Sequence, residues 1–152
     1  MTQRMNIYKA APEVYKTVLA FSQAAGQGID EKLKHLVLLR ASQINRCAYC
    51  IDMHSKDARH AGDSEERIQL VAAFDEAPEF FSEKERAALA LTEAVTVLTD
   101  GFVPDEVYNR AAEHFEEKEL AQLISLIAAI NVWNRLNVTV RTPGGHYKPG
   151  QW

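Results

Sequence analysis

The chain has 152 residues, 47% of them apolar and 25% charged, with a formal net charge of −4 from 21 acidic and 17 basic side chains. That length and apolar fraction suit one domain, residues 1–152, around a buried core, and exclude a disordered chain. An acidic balance without a basic block argues against nucleic acid and anionic lipid, so neither is an expected partner.

Helical periodicity runs through the chain and no alternating, β-branched run is bounded by hairpin turns, so the expected fold class is all-α. Pro12 opens a first helix that carries Val14, Val18, Leu19 and Phe21 and breaks at Gly26-Gln27-Gly28. Asp30 caps a second, with Leu33, Leu36, Val37 and Ile44 as its apolar stripe, that ends near Asn45, a residue tolerant of the left-handed cap conformation. A third helix runs from near Cys47 to about Ala61 and is closed by Gly62; Asp63 and Glu66 then read as the capping box of a short fourth that ends by Ala77-Pro78. Ser82 and Glu85 form a second capping box, opening a helix through Leu98 that stops at Asp100-Gly101. Val103-Pro104-Asp105-Glu106 starts a short helix. The last, from Glu116 to about Asn137, is apolar around most of its circumference, as a core or interface helix would be. Residues 140–152 are too rich in Pro and Gly to be helical and read as an irregular tail.

The chemistry concentrates at Cys47-Ala48-Tyr49-Cys50-Ile51-Asp52-Met53-His54, where the only two cysteines lie three apart and a histidine follows four further on. In a helix these positions share a face, so two thiols and a proton carrier converge, with Asp57 one turn beyond. No apolar run approaches the 18 or so residues of a membrane span and the N-terminus lacks a leader-like apolar segment, so the expected location is the cytoplasm. There, a lone Cys-x-x-Cys is more often redox-active, catalytic or metal-binding than a structural staple. A thioredoxin-like site follows a strand, whereas helix precedes this one. A structural zinc site takes four ligands, and Cys47, Cys50 and His54 have no second cysteine pair, so no metal is expected. Two buried cysteines acting as small apolar residues would leave their spacing unexplained. A helix N-terminus and a nearby imidazole both favour the thiolate, the form that attacks electrophilic oxygen or sulfur.

The stretch Arg40-Ala41-Ser42-Gln43-Ile44-Asn45-Arg46-Cys47-Ala48-Tyr49-Cys50-Ile51-Asp52-Met53-His54-Ser55-Lys56-Asp57-Ala58 resembles the signature of the AhpD-like alkylhydroperoxidases, within the carboxymuconolactone decarboxylase superfamily. Glu85 to Ala90, Val103 to Asp105 and Ala129 to Arg135 resemble further family segments in the same order. The resemblance implies an all-helical fold assembled into homo-trimers or homo-hexamers. It also implies Cys50 as the peroxidatic thiol, Cys47 as the resolving thiol and His54 in a proton relay. The family's relay glutamate, twelve residues before the first cysteine, is His35 in this chain. His35 therefore reads either as a variant relay group or as an ordinary, partly exposed helix histidine.

Tyr49 stands where some relatives carry a second relay histidine. Asp57 reads as a possible orienting partner of His54, though a solvated surface aspartate is the commoner outcome. Ser42, Gln43 and Asn45 are expected to cap or bond the helix junction, Trp133 and Asn134 to hold helix contacts, and His60, His114 and His146 to lie on the surface. The leading functional expectation is a thiol peroxidase acting on organic hydroperoxides, reset by an external dithiol or lipoyl-type reductant and needing no bound cofactor. The alternatives are a decarboxylase-like enzyme, which in this superfamily generally lacks the dithiol, and a non-catalytic thiol redox sensor.

Overall fold

The computed structural model describes residues 2–150, and among them the chain forms eight α-helices and one 3-10 helix, with no strand. The helices are α1 (Ile7–Ala10), α2 (Pro12–Ala25), α3 (Glu31–Ile44), α4 (Ala48–His60) and α5 (Glu65–Leu70), then the 3-10 helix (Val71–Glu76), α6 (Glu83–Thr96), α7 (Asp105–Ala112) and α8 (Glu117–Val140). The all-α expectation holds. Residues 141–150 form no helix, as expected of the tail, whose last residues Gln151 and Trp152 lie outside the described residues, as does Met1.

Helix α3 is the centre of the architecture because both its sides are apolar. Leu33 and Val37 join Leu91, Phe115, Leu123 and Ile127 in one buried cluster. Leu36 and Leu39 face the other way into a second, with Val71, Phe74, Phe81 and Leu89. Each such leucine contributes about 2 kcal/mol by leaving water. As a result α3 packs against α4, α6 and α8 at once, which fixes the start of α4 relative to the rest of the bundle.

Local chemistry sets most boundaries. Asp30 accepts from the Leu33 amide at 3.0 Å, and the Ser82–Glu85 capping box is reciprocal, with bonds of 3.2 and 2.8 Å. Gly62 takes the left-handed conformation (φ +83°) after α4. Several boundaries differ from the sequence reading. The left-handed residue after α3 is Arg46 (φ 53°), while Asn45 stays right-handed (φ −77°), because the Asn45 side chain is committed to α8. The cap of α5 is Ser64, which accepts from the Arg67 amide; Asp63 is instead buried and pairs with the Arg67 guanidinium at 2.6 Å. Helix α6 stops at Thr96, short of Leu98, which is 50% exposed and has no core to enter. Helix α8 runs past Asn137 to Val140 and is stopped by left-handed Arg141 (φ 58°). The four-residue α1 was not expected from the sequence; Asn6 caps it by accepting from the Lys9 amide.

By length and composition α8 could cross a bilayer, with a mean hydropathy of 1.3 over its most apolar 18 residues, longer than any run read from the sequence. Half of that window is buried, however, and the helix packs against α2, α3, α4 and α6 in the core.

Candidate active site

The α3–α4 junction is held by amides and a hydroxyl. Ser42 Oγ donates to the Leu38 carbonyl at 2.7 Å and accepts from Asn134 Nδ2 at 3.1 Å. Asn45 Nδ2 donates to Asn131 Oδ1 and Asn134 Oδ1, both at 2.9 Å. Asn134 is fully buried, so this network ties the residues just before the dithiol to the middle of α8. Asn45 is thus the C-cap residue of α3, and its side chain bridges to α8. Gln43 Oε1 accepts from Arg40 Nη1 at 3.4 Å, and its carbonyl accepts from the Arg46 amide at 3.1 Å.

From that anchored turn the Cys47 amide donates to the Ser42 carbonyl at 3.0 Å. Cys47 becomes the N-cap of α4, its sulfur accepting from the Cys50 amide at 3.4 Å. The two cysteines, with Cα atoms 5.3 Å apart, are joined as a disulfide. Both are buried. Their position at the first turn places the sulfurs in the positive end of the α4 dipole, the environment that stabilises a thiolate after reduction.

Cys50 and His54, one turn apart on α4, line a cavity of about 390 Å³ enclosed by α2, α3, α4 and α8. Leu19, Leu38, Leu126, Ile130 and Trp133 make most of its wall apolar, and Tyr8 and Tyr49 add rings. Trp133 packs edge-on against Tyr15 and donates its indole N–H to Ser22 Oγ at 2.8 Å. The Tyr8 hydroxyl donates to Asn137 Oδ1, and burial pushes its pKa up to about 12, so it stays a neutral donor.

One end of the cavity carries the titratable groups. His35 on α3 and His54 and Asp57 on α4 each bring one nitrogen or oxygen atom into a cluster whose members lie within 4.8 Å of one another, and His54 Nδ1 lies 3.9 Å from Asp57 Oδ2. Burial, and then the neighbouring His35, lowers the His54 pKa to about 3. The His35 pKa is lowered too, chiefly by burial, with Asp57 opposing. Both rings are therefore neutral at pH 7. Three of their nitrogens, His35 Nδ1 and both of His54, are buried without a hydrogen-bond partner among the described residues.

His35 thus sits in the same cluster as His54, whereas the sequence alone left it between two readings. Asp57 departs from the surface reading: it is mostly buried, and its Oδ1 accepts from the Tyr147 hydroxyl at 2.6 Å. Tyr147 was missed because it lies ninety residues away, in the tail. That segment returns over α4, where the Gly145 amide donates to Asp52 Oδ2 at 3.0 Å and Lys56 donates to the Tyr147 carbonyl at 3.1 Å. Gly144 permits the approach, since a Cβ there would stand 3.1 Å from the Ala48 carbonyl oxygen. The Gly-Gly pair and the aromatic residue after it were the only available signal. His60 and His146 are exposed and His114 half-buried.

Comparison with known proteins agrees with this geometry. The profile of the carboxymuconolactone decarboxylase family matches residues 12–94. The uncharacterized protein YdfG of Bacillus subtilis is 40% identical over 92% of this chain and 95% of its own length. The uncharacterized protein YnjA of Escherichia coli is 32% identical over 76% of this chain but only 62% of its own. A crystal structure from Agrobacterium tumefaciens superposes with a TM-score of 0.91 at 38% identity, over 96% of this chain and all of that one. That protein is described as of unknown function, with antioxidant defence protein AhpD as its suggested identity. By profile, sequence and fold, the chain belongs to the carboxymuconolactone decarboxylase family, among its AhpD-like members.

Proposed function

We propose that this protein is a thiol peroxidase of antioxidant defence that reduces organic hydroperoxides in the cytoplasm. The carrying observation is the Cys47–Cys50 disulfide at the start of α4, with Cys50 in the wall of an apolar cavity that ends in two neutral imidazoles. In the reduced protein a Cys50 thiolate beside His54 opposes the burial that keeps this ring neutral in the disulfide form, so His54 accepts the Cys50 proton, directly or through His35 and water. The thiolate attacks the terminal peroxide oxygen, forming an S–O bond as the O–O bond breaks. The alkoxide leaves with the proton as an alcohol, and Cys50 becomes a sulfenic acid. The Cys47 thiol displaces water from that sulfur to close the disulfide. An external dithiol, of lipoyl type, then reduces the pair and is itself oxidised to a disulfide.

Cys50 suits the attacking role because it faces the cavity, and Cys47 suits resolution because it already lies in bonding register as the helix cap. The apolar wall favours an alkyl or aryl hydroperoxide over a small polar one. Assembly into trimers or hexamers is part of this proposal, supported by exposed Phe21 on α2 and Val132 and Val138 on α8.

The test is a free-thiol count on reduced, chelator-treated protein, before and seconds after an equimolar organic hydroperoxide. Loss of both thiols, with sulfenic acid trapped at Cys50 in a Cys47→Ser variant, is the expected result. Persistence of both thiols would overturn the assignment.

A further inference from the structure

We propose that His35, His54 and Asp57 form a binding site for a divalent first-row transition metal, with two imidazole nitrogens and one carboxylate oxygen as ligands. The three donor atoms come from two packed helices and lie within 4.8 Å of one another. A tetrahedral ion with bonds of about 2.1 Å holds its ligand atoms roughly 3.4 Å apart. The donor atoms would therefore have to draw together by up to about 1.4 Å to hold such an ion.

The second observation concerns unmet polar need. His54 is more than nine-tenths buried, and neither of its ring nitrogens has a hydrogen-bond partner among the described residues; His35 Nδ1 is in the same condition. Buried polar atoms in folded proteins are nearly always satisfied, so a polar occupant belongs between these rings. Both rings are neutral at physiological pH, which leaves their lone pairs available to a metal.

The surrounding groups fit a ligand set of this kind. The Tyr147 hydroxyl bonds Asp57 Oδ1 at 2.6 Å and leaves Oδ2 turned toward His54, as an outer partner orients a ligating carboxylate. Glu31, 4.0 Å from His35 Nε2, adds a second negative charge nearby. Lys34 on the cavity wall opposes a cation, yet one lysine faces two carboxylates. Two histidines and a carboxylate suit Zn²⁺, Co²⁺ or Fe²⁺ and disfavour Mg²⁺ and Ca²⁺, which take oxygen-rich sites. Three protein ligands leave a position open, and here it faces the apolar cavity. The arrangement depends on His35, at the position where the resembling family carries glutamate.

This site does not require the peroxidase reading, and its test uses neither peroxide nor thiols. Zn²⁺ is titrated calorimetrically into oxidised protein, whose disulfide removes both sulfurs as ligands. Co²⁺ is added in parallel to read the visible absorption of a low-symmetry N/O site. We expect one Zn²⁺ per chain with a dissociation constant of about 1 µM or tighter, weakened roughly 100-fold or more in His35→Ala and in Asp57→Asn. Far-ultraviolet circular dichroism verifies that both variants fold. Absence of binding at about 100 µM Zn²⁺ would overturn the proposal. So would unchanged binding in both variants, which would put the ion on exposed His60 or His146.

Discussion

Acid will destabilise this protein before its carboxylates titrate, and His54 will account for most of the loss. In the folded chain burial lowers its pKa to about 3, against 6.5 for a free imidazole. Above pH 6.5 both folded and unfolded chains carry the ring neutral, and the full stability is present. As the pH falls from 6.5 toward 3, only the unfolded chain takes up the proton, so stability drops with a slope approaching ~1.4 kcal/mol per pH unit. By pH 5 the loss is about 2 kcal/mol, a large part of a typical folding free energy. His35 is shifted in the same direction and adds to it. Burial opposes the ionised forms of Asp52 and Glu85, but Lys56 and Arg67 outweigh it and hold both carboxyls below their ordinary values. Their stabilisation is therefore lost only at lower pH, leaving the window from pH 7.5 to 5 to the imidazoles. Denaturant unfolding of oxidised, chelator-treated wild type and His54→Gln across that window isolates the effect. The variant should be less stable at pH 7.5 yet show a much shallower decline. Parallel curves would refute the reasoning, because they would mean that His54 charges freely inside the fold.

Two further substitutions test the scaffold around the dithiol. Asn134→Ala removes one bond each from Ser42, which keeps the Leu38 carbonyl, and from Asn45, which keeps Asn131 Oδ1, and should cost about 1–3 kcal/mol; a loss under about 0.5 kcal/mol in denaturant unfolding would show that the network is not structural. Gly144→Ala places a methyl 3.1 Å from the Ala48 carbonyl oxygen. It should lift the tail at a cost of about 1 kcal/mol and speed hydrogen exchange at the Gly145 amide; unchanged exchange would contradict that picture.

What the sequence made legible was local. Cys50 and His54 could be put on one face because their spacing and the helix period are both within α4, to which Cys47 is the N-cap, and the Ser82–Glu85 box because a capping box is a four-residue pattern. What it hid depends on packing between elements. His35 reaches His54 only because α3 has two apolar sides and lies across α4. Asp57 looked like a surface residue because nothing near it in sequence announces Tyr147. The cap of α5 was misassigned for a related reason: Asp63 and Ser64 are both good caps, and a tertiary ion pair with Arg67 decides between them. Asn45 ends α3 as its sequence position suggested, though in the right-handed conformation, and its side-chain bonds to α8 were the part that local sequence could not announce.

Trp133 gives the cavity an optical signature. The chain has two tryptophans, and Trp133 has its ring in the cavity wall and its indole N–H on Ser22. A Trp152→Phe protein would carry one indole emitter, seated beside the chemistry. Its emission colour and lifetime would report the polarity of whatever fills the cavity, and Co²⁺ held near His54 would quench it by energy transfer. Entry of a ligand and arrival of an ion could then be followed in real time by stopped-flow fluorescence, without a label.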